Sequence, residues 1–233
     1  MQVRDNQRIR IEEHESFATY SGLAKRQIEV LNVFDETEFN PERVNNYDAL
    51  FVRGASEASV VEPQKYTFLN AGIRMLLYCL NVQKPVFASC FGFQLAVIAL
   101  GGKIVRDKSN FEMGTLPISL RPNAADDLLL HDTPNGFMAI SVHQEKALTL
   151  PPDCMSLAYT AECEHAFRVG NKPFWAFQFH PEVDLDTLIS RLTTYKNRYT
   201  GSDDHLSEVL SSAVGTPDSN ILLKKFVDRL LID

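Results

Sequence analysis

Short, unbroken apolar runs alternate along this chain with segments whose apolar residues recur every three or four positions. Ala49-Leu50-Phe51-Val52 is continuously apolar, the pattern of a strand covered on both faces. From Tyr66 to Asn81, Phe68, Ile73, Leu76, Leu77 and Leu80 fall largely on one stripe and predict a helix. Val86 to Ser89 reads as the next strand, and a helix-compatible piece leaves Cys90 and ends near Gly101-Gly102. Upstream, Ile9 to Ile11 is expected as a short first strand and Gln27 to Val33 as a second, after a helical connection. This βαβ alternation predicts a parallel sheet with helices on both faces.

The middle of the chain changes character. Ile118 to Leu120, Gly136 to Ile140, Ser156 to Tyr159 and His165 to Val169 are short runs separated by turn signals such as Pro134-Asn135-Gly136. They predict further strands, some antiparallel, added to the parallel sheet. Phe174 to Phe179 is the last strong strand, and Asp184 to Tyr195 is a helix. Thr200 to Ser219 is polar, contains Gly201, Gly215 and Pro217, and reads as a loop or flexible insert. Ser219 stands as the N-cap of a final helix over about 220–231, with Leu222, Leu223, Phe226, Val227 and Leu230 on one face. No internal repeat interrupts this order. A single α/β domain over 1–233, with its core at about 9–195, is the expectation.

Composition narrows the function classes. The 233 residues suffice for a sizeable core, and the 45% apolar and 23% charged fractions are ordinary for a globular chain. A net charge of −7 provides no basic footprint for nucleic acid or anionic lipid. No signal-like or membrane-length apolar stretch occurs, so the expected address is cytoplasmic. The four cysteines, Cys79, Cys90, Cys154 and Cys163, show neither paired nor metal-type spacing. With no CxxC or HExxH, the expectation is no metal and no cofactor.

Two runs carry chemistry. In Ala88-Ser89-Cys90-Phe91-Gly92-Phe93-Gln94 a strand enters the cysteine and a helix leaves it, with a small residue two before and a glycine two after. That is the crowding pattern of a nucleophile elbow, which holds the thiol beside a helix N-terminus that favours thiolate. A lone free cysteine more often packs as a small hydrophobe, so a base is needed to change the reading. Phe177-Gln178-Phe179-His180-Pro181-Glu182 supplies one. Pro181 keeps His180 extended, which turns His180 and Glu182 to the same side. Nucleophile, base and orienting carboxylate are then all present: Cys90, His180 and Glu182.

At these residues the chain resembles the class I, triad-type glutamine amidotransferases, in the stand-alone branch of the family. Their nucleophile run, roughly G-x-C-x-G-x-Q, is matched by 88–94 and their H-P-E by His180-Pro181-Glu182. Asn46 to Gly54 resembles the family's strand before the oxyanion loop. Glu112-Met113-Gly114 resembles its E-x-G segment, and Ser141-Val142-His143-Gln144 through Leu150-Pro151-Pro152 its S-x-H and L-P-P segment. The resemblance covers about Ile9 to Tyr195. It implies a flavodoxin-like, mixed and mostly parallel sheet flanked by helices, and hydrolysis of a γ-glutamyl amide through a thioester on Cys90. It also implies oxyanion donors from the backbone of Gly54 and Phe91, and substrate contacts from Gln94 and from the backbone near His143. The substrate would be glutamine or another γ-glutamyl compound. Implied partners are a separate synthase subunit that takes the ammonia, or a second copy in a homodimer. Ala88 replaces the usual glycine, Arg53-Gly54-Ala55 replaces Gly-Gly-Pro, and Phe93 stands where many relatives carry His or Met. A free-standing γ-glutamyl peptidase and an idle regulatory protein on the same fold are the alternative readings.

Overall fold

The computed structural model describes residues 1–194 and 203–232. Its helices are α1 (Gln7–Ser21), α2 (Phe68–Asn81), α3 (Phe91–Ala99), α4 (Leu185–Thr194), α5 (Asp203–Ser212) and α6 (Pro217–Leu230). Its strands are β1 (Leu50–Val52), β2 (Val86–Ser89), β3 (Val105–Arg106), β4 (Glu112–Leu120), β5 (Phe137–His143), β6 (Glu145–Lys146), β7 (Cys154–Tyr159), β8 (Glu164–Val169) and β9 (Phe174–Phe177).

A seven-stranded mixed sheet has the order β1-β2-β9-β8-β7-β4-β5, and β3 pairs with β6 apart from it. β1, β2 and β9 are parallel neighbours; the pairs from β9 outward to β5 are antiparallel. β2 and β9 are buried throughout because alternate side chains enter two different cores. Val86, Ala88, Phe174 and Ala176 pack with Leu69 and Leu76 of α2 and Leu95 of α3. Phe87, Trp175 and Phe177 pack on the other face with Phe17 of α1 and Phe226 of α6. The expected mixed α/β sheet with helices on both sides is thus present. No helix among the described residues is long and apolar enough to cross a membrane.

The structure corrects three local expectations. Ile9 to Ile11 lies inside α1, not in a strand. Asn6 caps that helix by accepting from the Arg8 and Ile9 amides, and Gly22 ends it in the left-handed region at φ 74°. Its buried stripe, Ile9, Glu13, Ser16 and Phe17, includes a carboxylate, which hides the helical period from an apolar count. The segment around Gln2 makes the contact instead: the Gln2 amide donates to Leu31 O, and the Val33 amide to Gln2 O. The expected strand from Gln27 to Val33 therefore reduces to one parallel bridge, Gln2 with Asn32.

The third correction concerns the 200–219 stretch. It contains α5, whose Leu206 and Val209 pack with Met113, Ile140, Val183 and Leu192. The last helix starts earlier than expected, at Pro217 after Thr216, because proline's fixed φ suits the first helical position. Ser219 is a buried residue of that first turn and not the cap. Tyr195, the expected end of α4, lies outside the described residues.

Candidate active site

Cys90 joins β2 to α3 with φ 48° and ψ −99°, a left-handed conformation that a non-glycine residue adopts only under constraint. The constraint is visible on each side. The Cys90 amide donates to Phe177 O at 2.7 Å, and the Gln94 amide donates to Cys90 O at 3.1 Å. Gly92 passes so close to β1 that a Cβ there would lie 2.6 Å from Val52 O. The expected elbow is therefore formed, and its glycine is required by contact with the neighbouring strand. Ala88 fits because its methyl enters the α2–α3 core.

His180 follows β9 and is pinned through its amide, which donates to Ile140 O at 2.8 Å. Its Nδ1 lies 2.9 Å from Glu182 Oε1, and both side chains are buried. Burial opposes a charged imidazole here, but Cys90 on one side and Glu182 on the other override it and raise the His180 pKa to about 10. For Glu182, burial favours the neutral acid, yet His180 holds its pKa below the usual carboxylate range. The arrangement favours an imidazolium on His180 beside the Glu182 carboxylate.

Gly54 closes the site from the β1 side. A Cβ on it would lie 2.6 Å from His180 Cε1, 3.2 Å from its Nδ1 and 3.4 Å from Cys90 Cβ. Phe91 begins α3, so its N–H has no carbonyl one turn earlier in the helix. Its ring is buried on the far side, 6.3 Å from that of Phe68.

Arg53, the departure beside Gly54, points away from Cys90. Neighbouring residues of an extended chain face opposite ways. Its guanidinium lies 4.1 Å from the Phe17 ring centroid and 3.4 Å from Glu13 Oε2. Glu13 is also paired with Arg4 at 3.0 Å. Burial would raise the Glu13 pKa, but Arg4, Arg53 and Arg191 pull it down to about 2. This buried charge group was not legible in advance, since its members are far apart in sequence.

A cleft of about 270 Å³ opens at Cys90 and is lined by Ser59, Gln94, Arg106, Val142 and Gln144 among others. That is just below the roughly 300–1,000 Å³ usual for ligand sites. It carries both signs of charge. Arg106 is bound to Glu145 at 2.6 Å and to Glu62 at 2.9 Å, because the β3–β6 pair sets Arg106 opposite Glu145. Gln94 lines the cleft, but its amide nitrogen is engaged by Glu145 O at 2.8 Å. His143 also borders the cleft, while its Nε2 approaches Glu112 Oε2 at 3.0 Å, away from Cys90's partners. A separate cleft of about 300 Å³, bordered by Leu23, Ile28, Val44 and Tyr47, contains none of Cys90, His180 and Glu182.

Residues 15–194 match the family model described as glutamine amidotransferase class-I. The chain is 30% identical over 169 residues to the glutamine-hydrolyzing GMP synthase of Borreliella burgdorferi, covering 70% of this chain and 31% of that protein. It is 28% identical over 183 residues to the enzyme of the same name from Aeromonas hydrophila, covering 70% and 32%. The chain thus spans about a third of the length of these curated relatives. Among solved structures, a glutamine amidotransferase from Thermotoga maritima superposes with a TM-score of 0.74 at 18% identity, over 94% of this chain and 91% of that one. One from Methylobacillus flagellatus gives 0.67 at 16%, over 94% and 88%. At such identities these two likenesses are likenesses of fold.

Proposed function

Because the chain belongs to the class I glutamine amidotransferase family, we propose that it hydrolyses the γ-amide of glutamine through a Cys90-His180-Glu182 triad and delivers the ammonia to a separate acceptor enzyme. The observation that carries this reading is the strained Cys90 on its strand-to-helix turn, facing the buried His180–Glu182 pair under Gly54.

In this reading the Cys90 sulfur attacks the γ-carbonyl carbon, its proton having passed to His180. The C=O pair moves onto oxygen, where the backbone N–H groups of Phe91 and the Gly54 loop receive it. Collapse breaks the C–N bond, and the imidazolium proton leaves with the amine as ammonia. Water, relieved of a proton by His180, then cleaves the thioester to glutamate and the Cys90 thiol. Glu182 orients the imidazole and offsets its charge. The mixed-charge cleft suits a zwitterionic amino acid, with Gln94 and the backbone beside His143 as its contacts. The relatives' name couples a synthase to glutamine hydrolysis, and this chain matches about a third of them. That supports a division of labour with an acceptor enzyme.

The test is incubation of the pure chain with glutamine and with γ-glutamyl dipeptides, following ammonia and glutamate. Glutamine turnover that disappears in Cys90→Ala, with the fold retained by circular dichroism, is the expected result. Unchanged turnover in Cys90→Ala would overturn the mechanism, and turnover of dipeptides with none of glutamine would overturn the substrate.

A further inference from the structure

Beside the triad, four buried side chains converge from three strand regions, and none of the four side chains takes part in the bond-making steps above: Glu112, His143, Cys163 and His165. Glu112 and His143 are direct cross-strand partners in the β4–β5 ladder. Cys163 stands in the bend just before β8, and His165 is the second residue of that strand. One potential ligand atom from each lies within 4.8 Å of all the others. Glu112 Oε2 is the meeting point, 2.7 Å from His165 Nε2, 3.0 Å from His143 Nε2 and 3.6 Å from Cys163 Sγ.

The hydrogen bonding of this cluster is incomplete. His143 is buried, and among the described residues its Nδ1 has no partner while its Nε2 meets Glu112 Oε2 only as a 3.0 Å ion-pair contact. His165, fully buried, leaves Nδ1 unpartnered. A buried polar nitrogen without a partner costs on the order of 1–3 kcal/mol and calls for a reason. Metal coordination supplies one for His143 Nε2, the ring nitrogen turned toward Glu112.

We propose that these four side chains form a closed structural site for one zinc ion. Thiolate, two imidazoles and a carboxylate are zinc's donor types, and four protein ligands complete its tetrahedron with no position left for substrate. Bond lengths of about 2.0–2.3 Å place tetrahedral ligand atoms roughly 3.3–3.8 Å apart. The observed separations straddle that range, so sub-ångström to ångström-scale adjustments of the side chains convert one arrangement into the other. On binding, the S–H bond of Cys163 breaks, its proton leaves to solvent and an S–Zn bond forms. Thiolate and carboxylate then balance the ion's two charges, which a buried centre requires. Glu112 Oε1 already accepts from Thr160 Oγ1 at 2.7 Å, the outer contact that orients a ligating carboxylate.

The ion would fasten the β4–β5 ladder to β8. His180 hangs between those elements: its amide donates to Ile140 of β5, and the Gln178 amide donates to His165 of β8. The site is therefore a positioning device for the segment that carries His180. The inference is independent of the glutamine reading.

The experiment is titration of the reduced, chelator-treated full chain with Zn²⁺ and with Co²⁺. One equivalent of Co²⁺ should give tetrahedral d–d bands and a cobalt–thiolate charge-transfer band, and Zn²⁺ should displace it and raise the unfolding temperature. Cys90→Ala should keep the charge-transfer band. Cys163→Ser should lose it, and His165→Gln should weaken binding by at least about tenfold. A folded wild-type chain without the band overturns the proposal, and this outcome needs no variant to fold. So does a band that survives Cys163→Ser, or one that vanishes in Cys90→Ala, which would place the ion on the nucleophile.

Discussion

Replacing Gly54 by alanine tests the active-site geometry more sharply than deleting a reactive group. The added methyl would fall 2.6 Å from His180 Cε1 and 3.2 Å from Nδ1, the atom that meets Glu182 at 2.9 Å. Ordinary carbon contact begins near 3.4 Å, so ring and loop must separate by close to an ångström. The ring cannot yield freely, since the His180 amide is tied to Ile140 and its Nδ1 to Glu182. A misplacement of about 1 Å costs about 10²-fold in rate, which corresponds to about 2.7 kcal/mol of transition-state stabilisation. Retreat of the loop instead withdraws the proposed oxyanion donor, and loss of such a donor costs ~10²–10³. Either way, glutamine turnover should drop about a hundredfold or more, while overpacking costs only about 1–3 kcal/mol of stability. The assay is ammonia release from glutamine, with Cys90 alkylation by iodoacetamide as a second readout and thermal unfolding as the check on folding. Gly215→Ala, where an added Cβ meets nothing within 4 Å, is the control and should behave as wild type. Wild-type turnover in Gly54→Ala would refute the placement of Gly54 over the triad.

Two further predictions follow from the electrostatics. With the His180 pKa at about 10 against an ordinary 6.5, glutamine turnover should hold through neutral pH and fall as pH rises through about 10, where the departing amine loses its proton source. Glu182→Gln should move that limb to lower pH, and a pH–rate profile with an unmoved limb would count against the pairing. The same raised pKa makes a stability contribution complete below about 6.5 and lost as pH rises through about 10, readable from denaturant midpoints. Arg53→Met should destabilise the fold by about 3 kcal/mol, because it leaves the buried Glu13 with one fewer cation, as urea unfolding would report. Glu13, held at about 2 against an ordinary 4.5, contributes stability present above 4.5 and lost as pH falls through about 2. In Arg53→Met that contribution should be smaller and its loss complete at a higher pH, and identical acid unfolding of the two proteins would show the pair to be unimportant.

Local patterns made much of the fold legible before any coordinates. Val86 to Ser89 could be read as a strand because both its faces are buried, and α2 because its apolar residues share a stripe. The elbow was legible for a similar reason: a strand, a cysteine, a close-packed glycine and a helix are adjacent in the chain. The Cys90, His180 and Glu182 set could be proposed because each half is a contiguous motif. The first turns of α1 read as a strand, with the helix only after them, because the buried Glu13 breaks the apolar period. α5 escaped notice because only Leu206 and Val209, with partly buried Leu210, mark its inner face amid polar neighbours.

The chain by itself determined which residues could react and which segments would carry them, since propensity, capping and crowding act over a few neighbouring positions. Tertiary structure decided what those residues face. It alone turned Arg53 toward Phe17 and Glu13 and set Gly54 against the His180 ring. It also gathered Glu112, His143, Cys163 and His165, in which no CxxC or HExxH spacing exists to be read. The physical reason is the same in each case. Strand register and sheet order bring together side chains dozens to more than a hundred positions apart, and burial then makes their charges and open nitrogens matter.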